Sequence, residues 1–522
     1  AGHAEPARPE PPLVCVPAAQ WPARAPADAV VVGSGAGGAM AGREVARAGL
    51  RVVICEEGRR FTVADFRDRP IVDRFTALYR DGGATVALGL PPILLPLGRG
   101  VGGTTLVNSG TCYRTPDRVL RRWRDRFGVP AADPDRFGHL LDEVERTLAV
   151  APTPVEILGR NGLLALAGAQ RLGWRAAPLR RNAPGCGGCC ECVVGCPRNA
   201  KYGVHLNALP QACAAGAVIV TGARVDRVLV DRAPGGRARA AGVAFGGHEI
   251  LAPLVVVAAG AVETPRLLRR SGLGRHPALG RGLAVHPATS VAGRFDEPVV
   301  ATRGVLQGVG IEQLHDDGIL IEATAGPPGL ASFVLPGVGR ALRTELDRAD
   351  HLAFLGAMVA DGPAGRVGDR TVNYRLAPAD ADRLRRSMLA MGRVLFAAGA
   401  REVLTGVARR PYARSPEELA DIAASTRATE LHLAAFHPTG TARLGADPRL
   451  APVDPTGRVR GARGVYVADA SVLPSCPQVN PQLSVMAMAL AVASAILDGR
   501  TQDRRPARVP TAARFRPSSH RP

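Results

Sequence analysis

Residues 28–58 constrain this chain more than any other stretch. A short apolar strand at 29–32 runs into Gly33-Ser34-Gly35-Ala36-Gly37-Gly38, a helix of small residues follows, and a second strand at 51–55 ends on Glu56. Gly33 allows the tight turn from strand to helix, Gly35 lets the backbone approach a pyrophosphate, and Gly38 lets helix and strand pack closely. The pyrophosphate is expected on the free N–H groups at the helix N-terminus. Glu56 stands where an acidic side chain meets the ribose hydroxyls, roughly 20 residues beyond the loop. Strand, loop, helix, second strand and acid occur in the required order, so this is a dinucleotide site. The glycines alone leave the choice of dinucleotide open.

The 522 residues and 46% hydrophobic content can bury a large core. The formal charge of +20 invites a nucleic-acid reading. Every basic residue except Lys201 is arginine, however, and the arginines are scattered among Ala, Gly and Pro rather than striped. No nucleic-acid partner is therefore expected. Residues 1–26 read as a flexible N-terminal arm and 499–522 as a disordered basic tail. The most apolar run, 483–497, is shorter than a membrane span needs. The expectation is a cytoplasmic chain with no transmembrane segment.

Strand-like stretches at 217–230 and 242–259 flank a polar turn near Pro234. Helical spacing marks 117–175, 380–398 and 416–424, and a long apolar helix begins after Pro481. Nucleotide-fold elements at both ends imply a discontinuous cofactor domain, 27–285 with 436–498, enclosing a second domain at 286–435.

Four passages resemble one family, the glucose–methanol–choline (GMC) flavin oxidoreductases. They are the opening glycine unit, GRGVGGTTLVNSG (98–110), VVVAAGAVETPRLLRRSG (255–272), and the pair HPTGTARLG (437–445) with YVADASVLPSCPQVNPQLSVMAMAL (466–490). The resemblance implies an α/β fold, α+β overall: a Rossmann-like FAD-binding domain with an interleaved substrate domain on an antiparallel sheet. It selects FAD over NAD. It also implies that Gly102, Gly103 and Asn108 lie against the isoalloxazine, that Val225 meets adenine through its backbone, and that Asp469 and Ala470 reach the ribityl–pyrophosphate region. Members that attach FAD covalently use a histidine just before the loop asparagine; Val107 stands there, so non-covalent FAD is expected.

Oxidising an alcohol with a flavin requires a proton acceptor, an oriented hydroxyl and a hydride acceptor. His437 matches the family's active-site histidine, and Asn480 matches its second position. Imidazole suits the acceptor role, whereas an amide can only orient the substrate oxygen by hydrogen bonding. His286, followed by proline, resembles a segment at the active-site edge, with a structural role equally open. His432 is expected in packing.

Cys186, Cys189, Cys192 and Cys196-Pro197, within an insert at 182–201, reproduce the spacing of the bacterial ferredoxin run. That pattern admits an iron–sulfur cluster, shared by three of the four unless Cys190 or Cys213 completes the set, a zinc site, or plain structural thiols. Disulfides fit a cytoplasmic chain least well. Similar inserts occur in long-chain alcohol oxidases and cholesterol-oxidase-like proteins. The resemblance extends to the catalytic subunit of FAD-dependent glucose dehydrogenases, which carries a three-iron cluster.

The apolar pieces 319–340 and 353–359, with only 4% aromatic residues, point to a hydrophobic long-chain or sterol-like alcohol passing electrons to oxygen. The alternative is an iron–sulfur dehydrogenase of a sugar or specialised metabolite with a quinone or cytochrome as acceptor. A flavoprotein electron carrier would not need His437 and Asn480.

Overall fold

The computed structural model describes residues 6–503 except 68, 233–237, 328 and 330–334. The turn expected near Pro234 and most of the basic tail lie outside the described residues.

A six-stranded sheet forms the cofactor side, in the order Cys15–Pro17, Val218–Thr221, Val52–Glu56, Ala29–Val32, Val255–Val257, Val465–Val467, with every pair parallel. Its central strands are Val-rich and buried on both faces, as a parallel sheet covered on both sides demands. Six helices matter below: α1 (Ala36–Arg47), α2 (Pro134–Thr147), α3 (Gly159–Arg171), α4 (Gly260–Arg270), α5 (Pro378–Ala397) and α6 (Gln482–Asp503). α6 packs against α1 and α2. It is apolar around most of its circumference, which suits a helix covered on all sides. Residues 482–500 are long and apolar enough to cross a membrane by length and composition, yet 72% of the apolar window is buried within the fold.

The second core is a seven-stranded antiparallel sheet in the order Tyr412–Ala413, Glu402–Leu404, Ala288–Arg294, Leu352–Val359, Ile319–Thr324, Gln307–Ile311, Ala176–Pro178. α3 and α5 cover it.

Several boundaries are corrected. Residues 15–17 and 24–26 are strands, the first beside Val218–Thr221 and the second beside His248–Leu251, so this part of the N-terminal arm is built into the fold. The substrate core also recruits α3, Ala176–Pro178 and the Val86–Leu88 and Ile93–Leu94 hairpin from inside the 27–285 block. The first part of the tail, up to Asp503, continues α6. The stretch 217–230 is two strands in different sheets, because Gly222 turns the chain at φ +71° between them. The stretch 242–259 is likewise broken, at Gly246-Gly247 and again before Val255.

Candidate active site

Between the two sheets lies a cavity of about 1010 Å³. One wall comes from the glycine loop and the tips of the parallel strands, the other from the inner face of the antiparallel sheet.

The glycine loop is shaped by close packing. Gly33 adopts φ +104°, and a methyl group on it, on Gly37 or on Gly38 would collide with a backbone carbonyl: Ala258, Ala468 and Gly33 respectively. Gly35 meets only Gly103 and lines the cavity, as a residue approached by a ligand should. α1 begins at Gly35 with no side-chain cap and no acidic residue in its first turn, so its leading N–H groups remain available for an anion. Gly37, unassigned by the motif reading, is what brings the segment before Asp469 against α1.

Glu56 lies at the cavity, but its carboxylate is also structural. Oε2 accepts from Ser34 N–H at 3.1 Å and Ser34 Oγ–H at 2.6 Å, and Oε1 accepts from Gly58 N–H at 2.8 Å. Burial pushes its pKa upward. Asp469 behaves alike, accepting from Gly260 N–H at 2.8 Å and Ser471 N–H at 2.8 Å, which ties the C-terminal segment to the start of α4. Val225, Ala470, Gly103 and Asn108 line the cavity. Gly102 does not; it bends the loop at φ +108° and donates its N–H to Ser34 Oγ at 3.0 Å.

Asn108 Nδ2 donates to Gln482 Oε1 at 2.6 Å, while its Oδ1 is buried without a partner. An unpaired buried acceptor is costly. A cofactor rich in N–H and O–H donors relieves that cost, and together with the uncapped helix and the close glycine backbone it fits this wall.

The reactive groups line the same cavity. His437 and Asn480, forty-three residues apart, both line the cavity. The exposed part of His437 faces the cavity rather than bulk solvent, so burial still lowers its pKa to about 4 and the imidazole is neutral at physiological pH. Asn480 is 6% exposed and its Oδ1 has no partner.

Two further groups meet them. Glu322, 6% exposed, lines the cavity, and the Asn480 amide donates to its carboxyl. Gln307 Nε2 donates to Glu322 Oε2 at 3.1 Å, Oε1 is left unpartnered, and burial pushes the carboxyl up to about 7. No motif foreshadows Glu322. Its only sequence signal is an acid inside the apolar strand ILIEAT. The second group is His286, whose Nδ1 lies 3.1 Å from His437 Nδ1. It belongs to the site, whereas His432 is exposed at the cavity rather than packed.

The cysteine segment packs behind the loop that ends at Asn108. Lys201 Nζ donates to Leu106 O at 2.6 Å, Asn108 O at 2.9 Å and Cys192 O at 3.0 Å, so the single lysine pins that loop to the insert. Arg181, 3% exposed, directs its guanidinium to Cys192 Sγ at 3.2 Å and Cys186 Sγ at 3.7 Å, and also donates to Ser109 O at 2.7 Å. The backbone of Cys189 pairs with that of Gly304, and Cys196 Sγ accepts the Lys201 N–H at 3.3 Å. Among the described residues no group of three or more His, Cys, Asp or Glu is arranged to hold a metal ion, and all ten cysteines are free thiols. The iron–sulfur and zinc readings of the spacing are therefore not supported. The Arg181 guanidinium lies against two of the four sulfurs, and a third, Cys196 Sγ, takes a backbone N–H.

Sequence models of the GMC oxidoreductase family match residues 75–288 and 365–489. An uncharacterised GMC-type oxidoreductase of Mycobacterium tuberculosis is 60% identical over 93% of this chain and 78% of its own length. The long-chain-alcohol oxidase FAO4B of Arabidopsis thaliana is 31% identical over 90% of this chain and 67% of its own length. Formate oxidase of Aspergillus oryzae superposes with a TM-score of 0.68 at 16% identity, covering 92% of this chain and 100% of that structure.

Proposed function

This chain belongs to the GMC oxidoreductases, and on that footing we propose that it oxidises a hydrophobic alcohol, long-chain or sterol-like, to the aldehyde or ketone. The observation that carries the reading is that His437 and Asn480 line the same cavity as the dinucleotide loops. FAD, the family's cofactor, supplies the hydride acceptor when bound. This chain's part is to bind it through the α1 N-terminus, Gly35, Gly103 and Asn108, with Val107 offering no nucleophile for covalent attachment. His437, neutral at physiological pH, takes the hydroxyl proton as the C–H bond breaks. Asn480 orients the substrate oxygen, and the apolar strands of the second sheet exclude water.

The hydrophobic substrate is supported by wall residues such as Leu306, Phe354, Leu355 and Met358 and by the long-chain-alcohol oxidase relative. A second reading, a polyhydroxylated sugar or specialised metabolite, is favoured by the unpartnered Glu322 oxygen with Gln307 and Thr289 beside it on the same wall. With no cluster supported, oxygen is the simpler electron acceptor. The free thiols suit the reducing cytoplasm.

The test is anaerobic bleaching of the flavin by primary alcohols of increasing chain length, by sterols and by sugars, followed by peroxide release in air. Bleaching that becomes more efficient with chain length supports the hydrophobic reading, and bleaching by polyols alone transfers it to the second. No bleaching by any alcohol overturns both.

A further inference from the structure

We propose that His286 is a positioning residue for His437: with Cys476 and Asp361 it forms a hydrogen-bonded chain that holds His437 in the tautomer protonated at Nδ1, leaving Nε2 as the proton acceptor. The inference rests on the alcohol-oxidation reading above and adds His286, Cys476 and Asp361 to the pair His437 and Asn480.

The chain runs from the cavity into the protein. His437 Nδ1 meets His286 Nδ1 at 3.1 Å, with the two rings nearly perpendicular at 88°. Two imidazole nitrogens can share a hydrogen bond only if one carries the proton and the other a lone pair. What lies on the far side of His286 decides which. Its Nε2 contacts Cys476 Sγ at 2.7 Å, and the Cys476 thiol in turn bonds to the Asp361 carboxyl. Asp361 also accepts from Val285 N–H at 2.9 Å, His286 N–H at 3.1 Å and Tyr374 O–H at 2.8 Å.

The direction follows from acceptor strength. A carboxylate is a better acceptor than a neutral imidazole, so the thiol proton goes to Asp361. The sulfur then accepts from His286 Nε2–H, which leaves His286 Nδ1 with its lone pair. His437 must therefore donate from Nδ1, and its Nε2 is free. With the opposite polarity, His437 would carry its proton on Nε2 and could not act as a base until it changed tautomer.

Backbone geometry supports a built arrangement. His286 sits at φ +53°, a left-handed conformation uncommon for a residue with a side chain. Asp361 holds that bend in place through the N–H groups of Val285 and His286. Such strain persists where surrounding structure fixes it, and it concentrates at functional sites. His286, Asp361 and Cys476 are 2%, 6% and 6% exposed, so water cannot substitute for a missing link.

The first test reads the tautomer in the wild-type holoenzyme, without substrate, by long-range 15N–1H correlation of histidine-labelled protein. His286→Asn and His437→Asn variants assign the signals. The expected result is His437 protonated at Nδ1 and His286 at Nε2; a His437 protonated at Nε2 overturns the proposal.

The second test is kinetic. His286→Leu should slow anaerobic flavin reduction by an alcohol about 100-fold while FAD content is retained. His286→Asn, whose amide oxygen can accept in place of Nδ1, should recover most of the rate. Cys476→Ser should stay near wild type and Cys476→Ala should fall about 10-fold. Equal rates in His286→Leu and His286→Asn overturn the positioning role. If His437→Ala also left reduction unchanged, the functional reading itself would fail, which separates the two outcomes.

Discussion

Burial at the candidate histidine favours base chemistry. Desolvation disfavours the imidazolium and brings His437 down to about 4, so its acceptor form persists through the physiological range. Flavin reduction should consequently show no acid limb from this residue between about pH 5 and about pH 8, and His437→Ala should lower the reduction rate by about 10²–10⁴ with FAD still bound; stopped-flow spectroscopy over that pH range checks both. Glu322 is displaced the other way, upward to about 7 by burial. Its stabilising contribution is complete below the unfolded-state pKa and is lost as pH rises through the folded-state value. Between pH 5 and pH 8, therefore, the Tm of Glu322→Gln should fall less than that of the wild type, the expected signature of an acid kept neutral in the cavity wall. A parallel pair of Tm profiles would contradict it.

At the scale of elements, the cofactor wall is held by contacts that tolerate no added volume. A methyl on Gly37 would strike the Ala468 carbonyl and push the Asp469 segment off α1. Gly37→Ala should cost about 1–3 kcal/mol and release FAD, measured as lowered Tm and lowered flavin absorbance per chain. The cysteine insert is best understood as a buttress for the loop ending at Asn108. Lys201 satisfies carbonyls on both sides of that contact, and Lys201→Met would leave Leu106 O, Asn108 O and Cys192 O without their donor. Each buried carbonyl left unpaired costs about 1–3 kcal/mol. This variant is expected to lose FAD affinity by loosening the loop that ends at Asn108, with flavin titration as the check.

For the whole molecule, the decisive feature is that the cofactor cavity is walled by both cores, while the chain crosses repeatedly between them. α3 and Ala176–Pro178 belong to the substrate core although they precede Val218–Thr221 of the parallel sheet. A ligand bound between two interleaved cores stabilises both by mass action. FAD depletion should lower the Tm of both cores together, and adding FAD back should restore it in a concentration-dependent way. Two separate transitions, only one of them sensitive to FAD, would show that the cores unfold independently.

Legible in the linear chain were the βαβ unit, the roles of Gly33, Gly35 and Gly38, the family, and the candidate pair His437 and Asn480. Each depends on a local backbone requirement or a contiguous motif, and these survive in a one-dimensional string. The rest came from contacts between distant segments. His286 and Cys476 meet across 190 residues, and Glu322 joins Asn480 from a strand whose pattern reads only as core. The cysteine spacing was legible, but where the sulfurs point was not: the Arg181 guanidinium and the Lys201 N–H hold three of the four. Motifs record what the backbone must do nearby. Which distant side chains share a buried pocket, and therefore which protons and charges they hold, is fixed only when the two sheets close on each other.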